Sequence, residues 1–221
     1  MNEHEPNLTF AQRKRQQLRE QIVDAAFAEF AERGYHNTGI ADIARRLGIG
    51  HGTFYRYFAN KRDILDHVVT QPIERLLAAL TDENAPDAAT TLDGYREQTE
   101  RIARAITKIF QDDPRAGRIL LLEATSIDGD LTDRLMTVFD TSATLIAGYF
   151  ENGVRRGYLR ADLDIGASAE AVVGMMLAGI LNILRHPQDT DRHERFSAAV
   201  ITLMLDGIVK DRLRTSAGPT S

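Results

Sequence analysis

Residues 40–58 read IADIARRLGIGHGTFYRYF, and this stretch decides the fold that we expect. Its first half carries apolar residues at helical spacing, which form one face: Ile40, Ile43, Ala44 and Leu47. Gly48 follows where the chain must reverse, and a second short helix is predicted over residues 51–57. Two short helices joined by a tight turn form the helix-turn-helix arrangement, whose second helix enters the major groove of DNA.

Phe54 and Phe58 lie one helical turn apart and are predicted to anchor the second helix to the core. The residues left facing outward are His51, Gly52, Thr53, Tyr55, Arg56 and Tyr57. Their chemistry suits DNA, because hydroxyls donate to phosphate oxygens and arginine reads guanine edges. Lys61, just beyond them, can neutralise a phosphate, and Gly52 allows close approach of the backbone.

The rest of the chain also shows helical spacing, and it contains no convincing strand or repeat. Nine or so helices with short connections predict an all-α protein. Pro72 falls inside the fourth helix and is expected to kink it. The domain plan that we expect is a flexible N-terminal arm (1–10), a helix-turn-helix domain (11–66), an effector-binding and dimerisation domain (67–213) and a disordered tail (214–221).

Composition places the chain among ordinary globular proteins, with 221 residues, 43% of them hydrophobic and 27% charged. The absence of cysteine excludes disulfides, thiolate metal sites and cysteine nucleophiles. The first ten residues contain no apolar run, so no secretory signal is expected. Residues 171–184 form the most apolar stretch, which is interpreted as a buried core helix too short to span a bilayer. We expect a cytoplasmic protein that is not associated with a membrane.

The net charge of −5 argues at first against a nucleic-acid partner. Residues 1–67 nevertheless carry 10 Lys and Arg against 9 Asp and Glu, whereas the remainder carries 17 against 23. Four basic residues cluster at the start of the first helix: Arg13, Lys14, Arg15 and Arg19. This cluster fits a DNA-facing surface and a solvated helix face equally well.

Residues 27–65 resemble the N-terminal domain of the tetracycline-repressor (TetR) family. The matching features are Phe30, Gly34-Tyr35, Thr38, Asp42-Ile43-Ala44, Leu47-Gly48-Ile49, residues 52–58 and Asn60-Lys61. The resemblance implies contacts with the DNA backbone from Thr38, Arg45, Thr53, Tyr55, Tyr57 and Lys61. It implies sequence reading by His51, Gly52 and Arg56. Gly39 and Gly50 depart from the family pattern, in which many members carry Ser or Thr as helix caps, so contacts from these two positions are doubtful.

The resemblance also implies a repressor that leaves an inverted-repeat operator when an effector binds the C-terminal domain. Few charges interrupt the apolar faces there, so an apolar or amphipathic effector is favoured. The candidates for the cavity lining are Phe110, Leu121, Phe139, Leu145, Tyr149, Met175 and Met176, each of which could instead be ordinary core. Homodimerisation is expected through the last two helices, about 165–185 and 192–212, since the first of them carries small residues that permit close helix approach.

Other classes of function find little support in the residues. Residues 48–52 resemble a glycine-rich phosphate loop, but neither a preceding strand nor a following Gly-Lys-Ser/Thr is present. No metal motif occurs, and His186 and His193 are interpreted as framing a solvated loop, so no metal or cofactor is expected. Neither Glu123 nor Asp128 has a nucleophile nearby, which argues against an enzyme. The alternative left open is a helical carrier that sequesters a lipid-like metabolite without regulating genes.

Overall fold

The computed structural model describes residues 9–81, 84–123 and 127–209, and within them it confirms the all-α fold. The N-terminal four helices are α1 (Phe10–Arg33), α2 (Ile40–Leu47), α3 (His51–Phe54) and α4 (Lys61–Thr81). They are followed by α5 (Leu92–Asp112), α6 (Pro114–Arg118), a π-helical turn (Ile119–Glu123), α7 (Gly129–Arg156), α8 (Ile165–Arg185) and α9 (Thr190–Ile208). Of the predicted arm, residues 1–8 lie outside the described residues, and so does the whole predicted tail.

The chain divides into two compact units, Met1–Gln71 and Pro72–Ser221, here called the N-terminal and C-terminal units. The division falls inside α4, which continues through Pro72. Proline lacks the amide hydrogen that would bond to the preceding turn, so the boundary coincides with a missing backbone hydrogen bond. The predicted boundary at residues 66 and 67 lies one and a half turns earlier.

The helix ends of the N-terminal unit follow from local chemistry. Thr9 and Gln12 form a reciprocal capping box that begins α1. Gly34 ends α1 with a φ of 81°, and Gly48 ends α2 in the left-handed region with a φ of 67°. The Asn60 side chain accepts the amide hydrogen of Asp63 at 2.8 Å and thereby caps the start of α4.

The core of the N-terminal unit is built from the apolar faces of α1, α2 and α4. Buried residues of α1 and α2 include Ile22, Ala26, Phe30, Ile43 and Ala44, and those of α4 include Ile64 and Leu65. Phe54 and Phe58 are both almost completely buried, with ring centroids 5.8 Å apart, as predicted for the anchors of the second short helix. The helix-turn-helix is therefore fixed to α1 and α4 by a continuous apolar core.

The helices of the C-terminal unit begin at side-chain caps. Thr91, Asp113, Asp128, Asp164 and Asp189 each accept an amide hydrogen in the first turn of α5 to α9 respectively. A buried cluster joins residues of α5, α7, α8 and α9. Two buried polar groups of α7 are satisfied by backbone carbonyls, since the Tyr149 hydroxyl donates to Leu80 O and Asn152 Nδ2 donates to Ala89 O.

The interpretation of His186 and His193 as the frame of a solvated loop is wrong for His193. Its side chain is buried on α9. Its Nε2 lies 2.9 Å from His186 O and its Nδ1 lies 2.9 Å from Gln111 Nε2. These two contacts hold the ring between α5 and the carbonyl that precedes α9. No group of three or more metal-ligating side chains occurs in the described part of the chain.

The apolar helix α8 extends beyond the apolar stretch of residues 171–184 noted in the sequence. It is 21 residues long and is the one helix, among the described residues, with the length and composition to cross a membrane. It was predicted to be buried by the core and by a partner copy, and within the single chain 22% of its most apolar 18-residue window is buried. One face, including Val173 and Ile180, packs into the core, whereas Ala171, Gly174, Ala178 and Leu181 are exposed.

Candidate DNA-binding and effector sites

Helix α3 presents the residues predicted to meet DNA. Only His51–Phe54 is regular helix, and hydrogen-bonded turns continue it as far as Phe58. His51, Gly52, Tyr55 and Arg56 are exposed. Thr53 and Tyr57 are partly exposed, and the Arg56 guanidinium donates to Thr53 Oγ1 at 3.2 Å. With Phe54 and Phe58 facing inward, the alternation deduced from the sequence is confirmed and one continuous polar surface results.

A groove in the N-terminal unit joins the start of α1 to this surface. Its lining includes Lys14 and Arg15 of α1 together with Arg56 and Tyr57. The two α1 residues were part of the basic cluster noted in the sequence but were not placed in the predicted site. The groove brings three cations to one surface, which suits a polyanion. Arg19, from the same cluster, is instead engaged internally, with its guanidinium 2.8 Å from His67 Nε2 and over the Phe58 ring.

Two predicted backbone contacts, Thr38 and Lys61, are placed differently by the structure. Thr38 is only 1% exposed, and its hydroxyl donates to Glu29 O at 3.2 Å and to Gly34 O at 2.9 Å. The Lys61 ammonium donates to Tyr35 O and Thr38 O at 2.7 and 2.9 Å, and burial lowers its pKa. The Thr38 side chain is thus unavailable to a phosphate, and two of the three Lys61 N–H donors are already used within the unit.

Arg45 remains well exposed, with 72% of its side chain accessible, beside Asp42 at 3.0 Å. Asp42 itself accepts the backbone amide hydrogen of Gly39 at 2.9 Å, and this bond, with Arg33 and Arg45 assisting, lowers its pKa. Arg46 is committed elsewhere, since it pairs with Glu29 and Glu32 and these hydrogen bonds raise its pKa. Among these arginines of α2, Arg45 has the more exposed guanidinium.

The two glycine caps lack side-chain acceptors, as the sequence predicted. Gly39 and Gly50 both have extended backbone, and neither makes a side-chain cap hydrogen bond. Asp42 compensates at the start of α2 by accepting the Gly39 N–H, which is half of a capping box. At Gly50, an added Cβ would meet nothing within 4 Å, so the space for a larger residue is free.

The C-terminal unit contains two adjoining cavities among its helices. The first, about 380 Å³, is here called the Gln98 cavity; it is lined by α5, α7, α8 and α9 and by Leu80 of α4. The second, about 510 Å³, is called the Asn182 cavity and is lined by α5, α8 and α9. Met176 lines both. Each cavity has a mainly apolar lining.

The predicted lining residues are distributed unevenly over these cavities. Tyr149 and Met176 line the Gln98 cavity, and Met175 and Met176 line the Asn182 cavity. Phe139 lines a separate groove between α7 and α8. Phe110 is 1% exposed and lines neither cavity, so for this residue the ordinary-core interpretation holds. Leu121 and Leu145 also line neither cavity. The polar residues Gln98 and Asn182 were missed, because a search for apolar faces passes over an isolated amide.

Comparison with known proteins decides the family. A sequence profile of bacterial regulatory proteins of the tetR family matches residues 22–68, which contain most of α1, all of α2 and α3, and the start of α4. This segment of the chain is a TetR-family DNA-binding domain. The chain is therefore a DNA-binding transcriptional regulator, and the carrier without gene regulation is not supported.

Other known proteins resemble this chain over most of its length, beyond the segment that the profile matches. The fatty acid metabolism regulator protein of Bacillus subtilis is 25% identical over 191 residues, covering 85% of this chain and 94% of the relative. The transcriptional repressor KstR2 of Mycobacterium tuberculosis is 29% identical over 154 residues, covering 66% and 72%. The structure of the FadR regulator of Bacillus subtilis in complex with stearoyl-CoA has a TM-score of 0.70 at 22% identity, covering 86% and 98%. That likeness shows the same fold.

Proposed function

We propose that this chain is a dimeric repressor that binds an inverted-repeat operator and releases it when a small apolar or amphipathic molecule binds the C-terminal unit. The observation that carries the proposal is the outward-facing set of His51, Gly52, Tyr55 and Arg56, anchored from within by the buried rings of Phe54 and Phe58. A short helix with a polar outer surface and an anchored inner face matches the recognition element of a helix-turn-helix.

Within this surface we assign different roles by chemistry and exposure. Arg56 and His51 reach base edges, and Gly52 allows the backbone to approach the groove. Thr53, Tyr55, Tyr57 and Arg45 bind phosphates, and Lys14 and Arg15 add charge from α1. Thr38 and Lys61 act indirectly, because their hydrogen bonds hold the connector between α1 and α2 in place.

Dimerisation through α8 and α9 is supported by apolar surface that the single chain leaves exposed. On α8 the exposed residues Ala171, Gly174, Ala178 and Leu181 recur at helical spacing. On α9 the side chain of Leu203 is 69% exposed. Small residues beside exposed leucines permit two helices to pack closely, which suits a twofold interface. Twofold symmetry in the protein in turn calls for an inverted repeat in the operator.

The same surface argues for a cytoplasmic protein and against a membrane role for α8. A helix that crosses a bilayer alone is apolar on all sides and contacts lipid, whereas Val173, Ile180 and Ile183 of α8 are buried within this chain. The exposed face is then the part covered by a second copy. This assignment leaves no segment of α8 that needs lipid.

The effector site that we propose comprises the Gln98 and Asn182 cavities. Their apolar linings favour a ligand with a large apolar part, which supports the expectation drawn from the sequence. The likeness to a regulator of fatty acid metabolism and to a protein in complex with stearoyl-CoA points the same way. A ligand that binds better to a conformation unable to match both half-sites shifts the dimer away from DNA.

The test is selection of bound sequences from randomised duplex DNA by the purified full-length protein. We expect enrichment of one inverted repeat with two identical half-sites. A protein carrying Phe54→Ala, which removes an anchor of α3, serves as the control and should enrich none. Recovery of no common sequence by the unaltered protein contradicts the proposal.

A further inference from the structure

The side chain of Gln98 is held in an unusual state. It is only 1% exposed, although glutamine is normally a surface residue. Its Nε2 donates to Ala85 O at 2.9 Å, which fixes the orientation of the amide. Its Oε1 is buried and has no hydrogen-bond partner among the residues that the structure describes. A buried acceptor left without a partner destabilises the fold unless something else donates to it.

Among the residues that the structure describes, none donates a hydrogen bond to this amide oxygen. The cavity that Gln98 lines contains no charged side chain, and most of its lining is aliphatic or aromatic. The Tyr149 hydroxyl already donates to Leu80 O. Burial raises the pKa of Tyr149 to about 12 and also raises that of Tyr95, as expected where water has little access. A molecule that enters the cavity could therefore supply the donor that Oε1 lacks.

We propose that the effector is an uncharged, largely apolar molecule bearing a hydroxyl or amide N–H, which it donates to Oε1 of Gln98. This inference rests on the proposed function, in that the cavity is taken as the effector site. It adds the chemical class of the ligand and a residue that selects it. A carboxylate or ether oxygen presents only lone pairs to the amide oxygen, so neither group can replace the donor.

The adjoining cavity repeats the same chemistry. Asn182 lines it, and Asn182 Oδ1 is likewise buried and has no partner within the described residues. The two cavities meet at Met176, whose flexible side chain adapts to ligands of different shape. An effector long enough to pass Met176 would find a second acceptor there, so a second donor group on the same apolar body would strengthen binding.

The test is isothermal titration of the purified protein with three probes of similar size: 1-octanol, heptyl methyl ether and octanoate. The first carries a donor, the second lacks one at the same number of heavy atoms, and the third is ionised at neutral pH. We expect 1-octanol to bind about tenfold more tightly than the ether, as one net hydrogen bond provides. Octanoate should bind most weakly, because its charge would be buried in an apolar cavity.

Two variants separate the hydrogen bond from the shape of the cavity. Gln98→Met removes the amide at similar volume and should abolish the preference for octanol over the ether. Met176→Leu changes the lining without touching the acceptor and should alter the affinity for both probes by the same factor. Thermal unfolding verifies that each variant is folded. The titration of the unaltered protein with the three probes tests the inference even if a variant does not fold.

Equal affinity of the unaltered protein for octanol and the ether overturns the inference, because it would mean that ordered water satisfies the amide oxygen. Preference for octanoate overturns it as well. Failure of the proposed function looks different, since it would appear as absence of operator binding in the DNA selection. If the protein prefers octanol but octanol does not release operator DNA, the proposed chemical class of ligand is supported and the regulatory role of the cavity is rejected.

Discussion

Arg56 and Arg45 are exposed arginines of the N-terminal unit to which we assign different contacts. Arg56 lies on the outward side of α3, so Arg56→Ala should lose discrimination at one base pair by about 1–3 kcal/mol. Arg45 lies on α2, so Arg45→Ala should weaken all sequences alike and reduce the salt dependence by about one phosphate contact. Fluorescence anisotropy with single-base operator variants at several salt concentrations measures both effects.

The two arginines serve as each other's controls. Uniform weakening by Arg56→Ala would place that side chain on the backbone rather than on a base. Altered base preference with Arg45→Ala would mean that α2 contributes to sequence reading.

Thr38 gives a prediction about stability rather than contact. Thr38→Val keeps the shape but removes the hydroxyl that donates to Glu29 O and Gly34 O, so the free energy of unfolding should fall by about 1 kcal/mol. Thr38→Ser retains the hydroxyl and should lose less. Denaturant titration of both variants decides this, and an unchanged stability for the valine variant would show that the hydrogen bonds matter little.

Single residues also show where sequence reasoning stops. The burial of Phe54 and Phe58 was predictable, because it depends only on spacing along one helix. The roles of Thr38 and Lys61 were not, because their partners are backbone carbonyls of the α1–α2 connector. Side-chain spacing says nothing about where such carbonyls point.

At the scale of elements, the two glycines on either side of Ile49 have different backbone requirements. Gly48 has a φ of 67°, so Gly48→Ala should lower stability by roughly 1 kcal/mol. Gly50 has extended backbone and free space, so Gly50→Ser should cap α3 and raise stability by about 0.5 kcal/mol. Thermal unfolding of the two variants should shift in opposite directions, and equal shifts would contradict the assigned backbone geometry.

The start of α2 should respond to acid through Asp42. The Gly39 N–H holds the pKa of this carboxylate below the ordinary value of 3.8. Its stabilising effect is therefore present above about pH 4 and is lost as the pH falls through the lowered folded-state value. An NMR titration of the Asp42 carboxyl carbon should give a midpoint below that of the unfolded protein. A midpoint at or above the unfolded value would exclude the cap.

The bounds of most elements could be predicted, since caps and periodicity are local: α2 and α8 begin and end where the sequence indicated. The π-helical turn at Ile119–Glu123 could not, because an apolar run has no signal for a change in hydrogen-bond register. His193 was misplaced for a related reason. Its burial depends on Gln111, which lies 82 positions away in the sequence.

At the scale of the whole molecule, dimerisation should depend on the exposed apolar surface of α9. Leu203→Glu places a charge where Leu203 is now 69% exposed, so it should produce monomers and weaken operator binding. Leu122→Glu, at a site 54% exposed on the π-helical turn, is the matched control and should remain dimeric. Light scattering after gel filtration distinguishes them, and a dimeric Leu203→Glu variant would place the interface elsewhere.

The central claim is that a dimer binds an inverted repeat through residues 51–56 of both protomers. It is tested most directly by measuring the stoichiometry and the affinity of the protein bound to the selected operator. Analytical ultracentrifugation should show a whole number of dimers on the intact inverted repeat. Scrambling one half-site should lower the affinity by at least about a hundredfold, because half of the base contacts are lost. A single protomer bound to the intact repeat, or full affinity on the scrambled one, would contradict the account.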